Sequence, residues 1–198
     1  MPPEWGKMRT VFEQIVPLPD PIWQDVLDVA HFTRFTKKHI LLEPGQVCDR
    51  MILIHQGAMR LYRIQDGLDI TYFFFFPQAL AFATDFASFK TQAPSQYYLE
   101  CIDDCQVTIF KRSDVYAVYD RYPQMQKFGR LMAEEAYLMM DRRMSHFQYH
   151  DLQTRYLAML EEEPTLLQRV PQHLIATYLG VTPESLSRIK KRVTRQKK

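Results

Sequence analysis

The stretch Val170–Lys198 holds the residues whose types and spacing point most directly to chemistry. Glu184, Arg188, Lys191 and Arg195 recur at intervals of three and four, which on a helix lines a carboxylate and three cations along one solvent side. Leu186, Ile189 and Val193 fall on the other side and are expected to bury against Leu174, Ile175 and Leu179. A helix packed on one side, and basic and hydrogen-bonding on the other, has the layout of a recognition helix. A plain amphipathic helix with a solvated basic face is the alternative.

The elements that would position these side chains lie just before them. A short helix is expected from about Pro171 to Tyr178. Leu179, Gly180 and Val181 form a turn, with Gly180 supplying the positive φ such a turn needs. Thr182 is a good N-cap for the second helix. Pro183 suits its first position, where the missing N–H would be unpaired anyway.

Charge is unevenly spread. Pro164–Lys198 carries eight Lys/Arg against one acidic residue, a net of +7; the whole chain is +2, so the preceding part carries −5. A mildly acidic body with a basic tail suggests that the tail meets a polyanion, although charge alone does not separate this from a basic tail that is merely soluble. The N-terminus has no apolar signal segment and no run is long enough to span a membrane, so no membrane association is expected. Three cysteines, Cys48, Cys101 and Cys105, fit no disulfide framework and suggest a reducing cytoplasm.

Along the chain, Val11–Val16 and Asp20–Ala30 are predicted helical. From Phe32 to Lys111 short apolar runs alternate with turn signals, among them Glu43-Pro44-Gly45, Gln56-Gly57 and Asp66-Gly67. Asp-Gly between two apolar runs is a hairpin signal, and many short strands at this spacing imply an antiparallel barrel or roll. Phe82–Ser88 is read as a helical turn within this β region. Ser113 is expected to cap a helix over Asp114–Asp120. Pro123 then opens a long helix to about Tyr149, with an apolar stripe of Met125, Phe128, Leu131, Met132, Leu138, Met139 and Phe147. The stripe is wider than a roll of this size needs, so part of it is expected to pack against a second copy; packing on the chain's own β domain is the alternative. Asp151–Glu161 forms a further helix. The fold class expected is α+β: an antiparallel β-roll with flanking helices (1–122), a long connecting helix (123–150) and a C-terminal helix-turn-helix (151–198).

This order, with Ile175-Ala-Thr-Tyr-Leu-Gly-Val-Thr-Pro-Glu-Ser-Leu-Ser-Arg188, resembles the Crp/Fnr family of bacterial transcription regulators. Leu41-Leu42 with Gly45, Gly57 with Arg60, Asp66-Gly67, and Tyr119 with Tyr122-Pro123 fit the same family. Ser88-Phe89, Pro94-Ser95 and Arg155-Tyr156 look most like its short Bacteroidetes-type members. The resemblance implies a cytoplasmic DNA-binding homodimer, joined through the 123–150 helix, with RNA polymerase as a further partner. It assigns base reading to Glu184, which accepts from a cytosine amino group, and Arg188, which forks onto guanine. Thr182 and Ser185 would donate to phosphates, while Lys191, Arg192 and Arg195 add non-specific attraction. The family often has an arginine where Pro183 stands, so the familiar operator is not assumed. The wing that usually follows the recognition helix is expected to be missing. Two subunits would present their helices about 34 Å apart, one DNA turn, to a near-palindrome.

Relatives that bind cyclic nucleotides carry a Gly-Glu pair, then an arginine that neutralises the phosphate. Phe76–Tyr97 has neither, and Ser95-Gln96 stands where the arginine would be. An uncompensated phosphate charge in a semi-buried pocket is costly, so cAMP and cGMP are not expected to bind and no cofactor is assigned. Phe74, Phe76, Phe82 and Tyr98, with Thr84, Asp85, Ser88 and Gln96, either line an effector pocket or fill the roll, Asp85 serving as a helix-start residue. Cys101 and Cys105, four apart, would share one face of a strand. His146 and His150 are an i, i+4 pair without further metal ligands, and no nucleophile–base set or phosphate loop is present. The reading is therefore a non-enzymatic DNA-binding regulator. A small-molecule-binding protein whose helix-turn-helix serves protein–protein contact is the alternative; an enzyme with a metal-bearing roll lacks ligands.

Overall fold

The computed structural model describes residues 3–77 and 82–196, with side chains between Met8 and Val193 within those ranges. The chain forms two compact units: Met1–Leu61 with Phe74–Ala136, and Tyr62–Phe73 with Tyr137–Lys198.

The first unit opens with α1 (Pro3–Glu13) and α2 (Asp20–Asp28). α1 lies earlier than the expected Val11–Val16: Met8 and Phe12 form its buried face, and Val16 is buried beyond its end. The strands follow as β1 (His31–Phe35), β2 (Ile40–Leu42), β3 (Arg50–Gln56), β4 (Met59–Gln65), β5 (Leu68–Phe75), β6 (Phe82–Ala83), β7 (Tyr98–Cys101) and β8 (Cys105–Lys111). They make two four-stranded sheets, ordered β1-β8-β3-β6 and β2-β7-β4-β5. β1, β3 and β8 pair antiparallel, with Ile52 opposite Ile109 and Leu53 opposite Thr108.

β3 is buried along Ile52, Leu53 and Ile54 without alternation, because both of its faces are covered. Leu53 joins Phe110 in a core with Met8, Phe12, Trp23, Val26, Met125 and Phe128. Ile52 and Ile54 point to the opposite face, into the roll. Phe12 and Phe128 stack with ring centroids 4.5 Å apart, which ties α1 to the start of α5 (Pro123–Tyr149). Met125, Phe128 and the partly buried Met132 of the predicted α5 stripe thus bury within their own unit.

Two local expectations are corrected. Phe82–Ser88 is not one helical turn: Phe82–Ala83 pairs with β3, and α3 (Phe86–Thr91) begins only after Asp85. Ser113 does not cap the helix after β8; α4 (Arg112–Arg121) starts two residues earlier behind Lys111, and the Ser113 hydroxyl donates to Asp114 instead.

Polar groups buried in the roll are paired. Arg60, 6% exposed, donates from Nε and Nη2 to Glu100 Oε2, both at 2.8 Å, across β4 and β7. Such a buried ion pair fixes register more than it adds stability. Cys101 and Cys105 end β7 and start β8, so they lie on different strands and not on one strand face as expected. Both are buried. The contact with the Cys105 thiol, and burial after it, push the Cys101 thiol well above its usual range, so the unreactive protonated form persists.

The second unit contains the tip of the β4–β5 hairpin, the later part of α5, and α6 (Leu152–Glu162), α7 (Leu166–Arg169), α8 (Gln172–Tyr178) and α9 (Pro183–Gln196). The hairpin turns at Asp66 and Gly67, both at positive φ, as the Asp-Gly signal predicts. The core of the unit is Tyr156, Met159, Leu166, Val170, Ile175, Ala176, Leu179, Leu186 and Val193. Leu166, the α7 residue that fills this core, had no sequence signal of its own because a four-residue helix is too short to show a period.

Candidate functional site

The candidate site is the first turn of α9. α8 ends where Gly180 takes φ +68, with the Gly180 N–H donating to Thr177 O (3.1 Å) and the Val181 N–H to Ala176 O (2.9 Å). A side chain at Gly180 would also meet the Phe147 ring, 3.1 Å from an added Cβ. The chain leaves this turn into Thr182, whose Oγ1 accepts from the Ser185 N–H at 3.3 Å, the N-cap expected from sequence. Pro183 is the first residue of α9.

Four side chains then form one hydrogen-bonded set. The Thr182 hydroxyl donates to Ser185 Oγ (3.3 Å), and Arg188 Nη2 donates to the same Ser185 oxygen (3.0 Å). The Glu184 carboxyl is held below the usual carboxylate range by its own backbone N–H, by Thr182, and by the charge of Arg188. Glu184 and Arg188, one turn apart, are both exposed and on one ridge of the helix. Lys191 and Arg192 are exposed further along, and Leu186 and Val193 bury the opposite side. The side chain of Arg195 lies outside the described residues.

Neighbouring helices brace this element through partners the sequence did not reveal. Arg143 Nη2 donates to Tyr178 O (3.2 Å) and packs 4.0 Å from the Tyr178 ring centroid. Arg155 Nη1 donates to Leu179 O (3.0 Å) and lies 4.8 Å from the Phe147 centroid. Both cations satisfy carbonyls at the C-terminal end of α8, where positive charge is favoured. From the hairpin, the Thr71 N–H donates to Thr177 Oγ1 at 3.3 Å. Asp151 caps α6 by accepting from the Thr154 N–H (2.8 Å), which, with Arg192 and Arg155 nearby, lowers its carboxyl. The Asp151 cap is local, but the Arg143, Arg155 and Thr71 links join residues 24 to 106 apart in the chain, so no local pattern could show them.

The second candidate region, in the first unit, is only partly brought together. Asp85 caps α3: its Oδ1 accepts from the Ser88 N–H (3.3 Å) and its Oδ2 accepts from the Ser95 hydroxyl (2.7 Å). Ser88 Oγ donates to Ala93 O (2.6 Å) and accepts from the Cys48 N–H (2.9 Å), and Thr84 donates to Arg50 O (3.0 Å). Thr84, Asp85, Ser88 and Ser95 are all buried and spend their polar atoms on holding the α3 loop. Phe74 and Phe76 sit together, with centroids 6.3 Å apart. Phe82 belongs elsewhere, edge-on to Phe12 and Phe128 in the helical core. Tyr98 is half-buried and Gln96 is exposed. Residues 78–81 lie outside the described part. Replacing Asp85 with alanine should cost about 1–3 kcal/mol by removing a cap and orphaning the Ser95 hydroxyl, measurable as a lower denaturation midpoint.

Among the described residues, no group of three or more His, Cys, Asp or Glu is placed to hold a metal ion; His146 and His150 face each other edge-on at 5.0 Å. No described helix is long and apolar enough to cross a membrane.

Residues 32–122 match the family model of the cyclic nucleotide-binding domain, just under half of the chain. No curated protein matches the chain in sequence. Among solved structures, the chain is similar to FixK2 from Bradyrhizobium japonicum (19% identity, 85% of this chain and 86% of that one, TM-score 0.70). It is also similar to CLP, the c-di-GMP responsive global regulator of Xanthomonas campestris (13% identity, 90% and 93% covered, TM-score 0.69). A candidate crp/fnr-family transcriptional regulator from Eubacterium rectale aligns at 16% identity over 90% and 85%, with a TM-score of 0.66. Residues 32–122 thus match the cyclic nucleotide-binding domain, inside a chain whose fold is that of Crp/Fnr transcription regulators.

Proposed function

We propose that this protein is a sequence-specific DNA-binding transcription regulator, not an enzyme, and that it works as a homodimer. The observation that carries the reading is the first turn of α9, where a capped helix start sets Glu184 and Arg188 on one exposed ridge, with Arg188 held by Ser185. Glu184 and Arg188 read base edges; Thr182 and Ser185 meet phosphate; Lys191, Arg192 and Arg195 supply salt-dependent attraction. The homodimer forms through the later half of α5. Support comes from Tyr137, Leu138 and Met144, which are 69%, 45% and 60% exposed, more apolar surface than an isolated helix leaves in water without a partner. RNA polymerase is a further partner on this reading.

The roll does not grip cAMP or cGMP. Ser95 stands where the phosphate-binding arginine would be, and its hydroxyl is already given to the buried Asp85 carboxylate. A second anion there would sit beside an acid with no added cation. Titration of cAMP or cGMP into the purified protein is expected to give no heat at concentrations up to about 1 mM, where even weak binding of about −4 kcal/mol would register. Saturable binding would overturn this part of the reading.

The DNA-binding proposal is tested by selecting bound fragments from genomic DNA and measuring their affinity against salt. Enrichment of a near-palindrome, with affinity falling steeply as salt rises, is expected. Absence of both would favour the reading in which the helix-turn-helix contacts protein.

A further inference from the structure

We infer that His146 and His150, at the end of α5, form a binding site for a divalent transition-metal ion of the Zn(II) or Cu(II) class. His146 lies in the last turn of α5 and His150 directly follows the helix. The His150 N–H still donates to His146 O (3.3 Å), so the two are four apart on a continuing helical turn. At that spacing two imidazoles reach one ion from the same face. The structure brings the rings into contact, edge-on, with centroids 5.0 Å apart. Two imidazoles that each hold an ion at about 2.0–2.1 Å, at angles from a right angle to tetrahedral, place their centroids about 4.5–5.2 Å apart. The separation that shared ligation needs is therefore already set.

No other group claims these nitrogens. Among the described residues neither ring makes a hydrogen bond or an ion pair, and none of their nitrogens is shut off from solvent. His55, by contrast, is bonded through Nε2 to Thr108 Oγ1 (2.7 Å), and His39 stacks on Phe35. The pair also lies away from the face proposed for the dimer. His146 is two residues beyond the exposed Met144, about 200° round the helix, so a second copy on the Met144 side leaves it open. Neutral imidazole suits Zn, Cu and Ni, whereas Mg and Ca take oxygen ligands. A cation is favoured at the carbonyl end of a helix. Phe147 follows the first histidine, where the metalloprotease arrangement carries its general-base glutamate, so the site holds an ion without activating water. The ion ties the last turn of α5 immediately before Asp151, which caps α6, and stiffens the step between the two helices.

The test uses the full-length protein, stripped of metal with a chelator and titrated with Zn(II) by calorimetry and with Cu(II) by electron paramagnetic resonance. Binding of one ion per chain is expected, tighter for Cu(II) than for Zn(II) and weakening as pH is lowered, because protons compete for both imidazoles. A hundredfold excess of Zn(II) over its Kd should raise the melting temperature by about 5–10 °C. The Cu(II) spectrum should show coupling to two nitrogens. His150→Gln, at an exposed position, is expected to keep the metal-free melting temperature and lose the Zn(II) shift. Absence of binding overturns the inference, as does a Cu(II) spectrum without two nitrogens, and neither result needs a variant to fold. An equal shift with Mg(II) overturns it by pointing to carboxylates. Unchanged Zn(II) affinity in His150→Gln overturns it by placing the ion elsewhere on the chain.

Discussion

Replacing Arg188 with alanine is expected to remove discrimination between operator and random DNA, a loss of roughly 5- to 150-fold on the operator alone, from the 1–3 kcal/mol that a bidentate base contact contributes. The guanidinium is exposed, and Ser185 Oγ holds one of its nitrogens at 3.0 Å. In the free protein it is therefore aimed, which lowers the ordering cost of forking onto guanine. Replacing Lys191 is expected to act differently. Lys191 is exposed on the same helix without the fork geometry, so its loss should weaken operator and random DNA alike and flatten the salt slope by about one. Titrations of both variants against both DNAs at several salt concentrations separate the two roles. Equal losses from the two changes on both DNAs would remove Arg188 from base reading. The depressed carboxyl of Glu184 adds a pH corollary. A lowered group keeps its charge as pH falls through the ordinary carboxylate range, so its contribution should persist there and vanish only below it.

Gly57→Ala is the substitution expected to damage the fold most. Gly57 sits between β3 and β4 at φ +94, where a side chain is strained regardless of space. An added Cβ would also lie 2.5 Å from Asp104 O, 2.6 Å from Cys105 Sγ and 2.8 Å from Cys105 Cα. Two of these are backbone atoms, one a carbonyl of the turn that joins β7 to β8, and they cannot swing aside as a surface side chain can. Strain of about 1–3 kcal/mol and overpacking of similar size add to roughly 2–6 kcal/mol. For a chain of this length the melting temperature should drop by roughly 5–20 °C, read by calorimetry or circular dichroism. A drop of under about 2 °C would mean that the β7–β8 turn yields far more easily than its backbone packing implies.

Much of this protein is decided within a few residues of chain, and there the sequence was sufficient. The Thr182 cap with Pro183 behind it, the Gly180 turn, the Asp66-Gly67 hairpin and the Asp151 start of α6 each depend on contacts no more than five residues away. Period two and period 3.6 likewise marked most strands and the buried side of α9. Those patterns say which face is apolar but not what covers it. That is why Phe82 looked like a pocket residue but lies in a core with Phe12 and Phe128. Only the tertiary structure brought Arg60 to Glu100, Ser95 to Asp85, and Arg143 and Arg155 to the carbonyls that end α8. Each is a polar group whose burial demands a partner, and the partner is chosen by which distant strand or helix packs beside it. The placement of Thr182, Glu184, Ser185 and Arg188, the residues proposed to meet DNA, was thus fixed by local helix chemistry. The way the buried Thr84, Asp85, Ser88 and Ser95 spend their polar atoms was decided by contacts that exist only once the chain has folded.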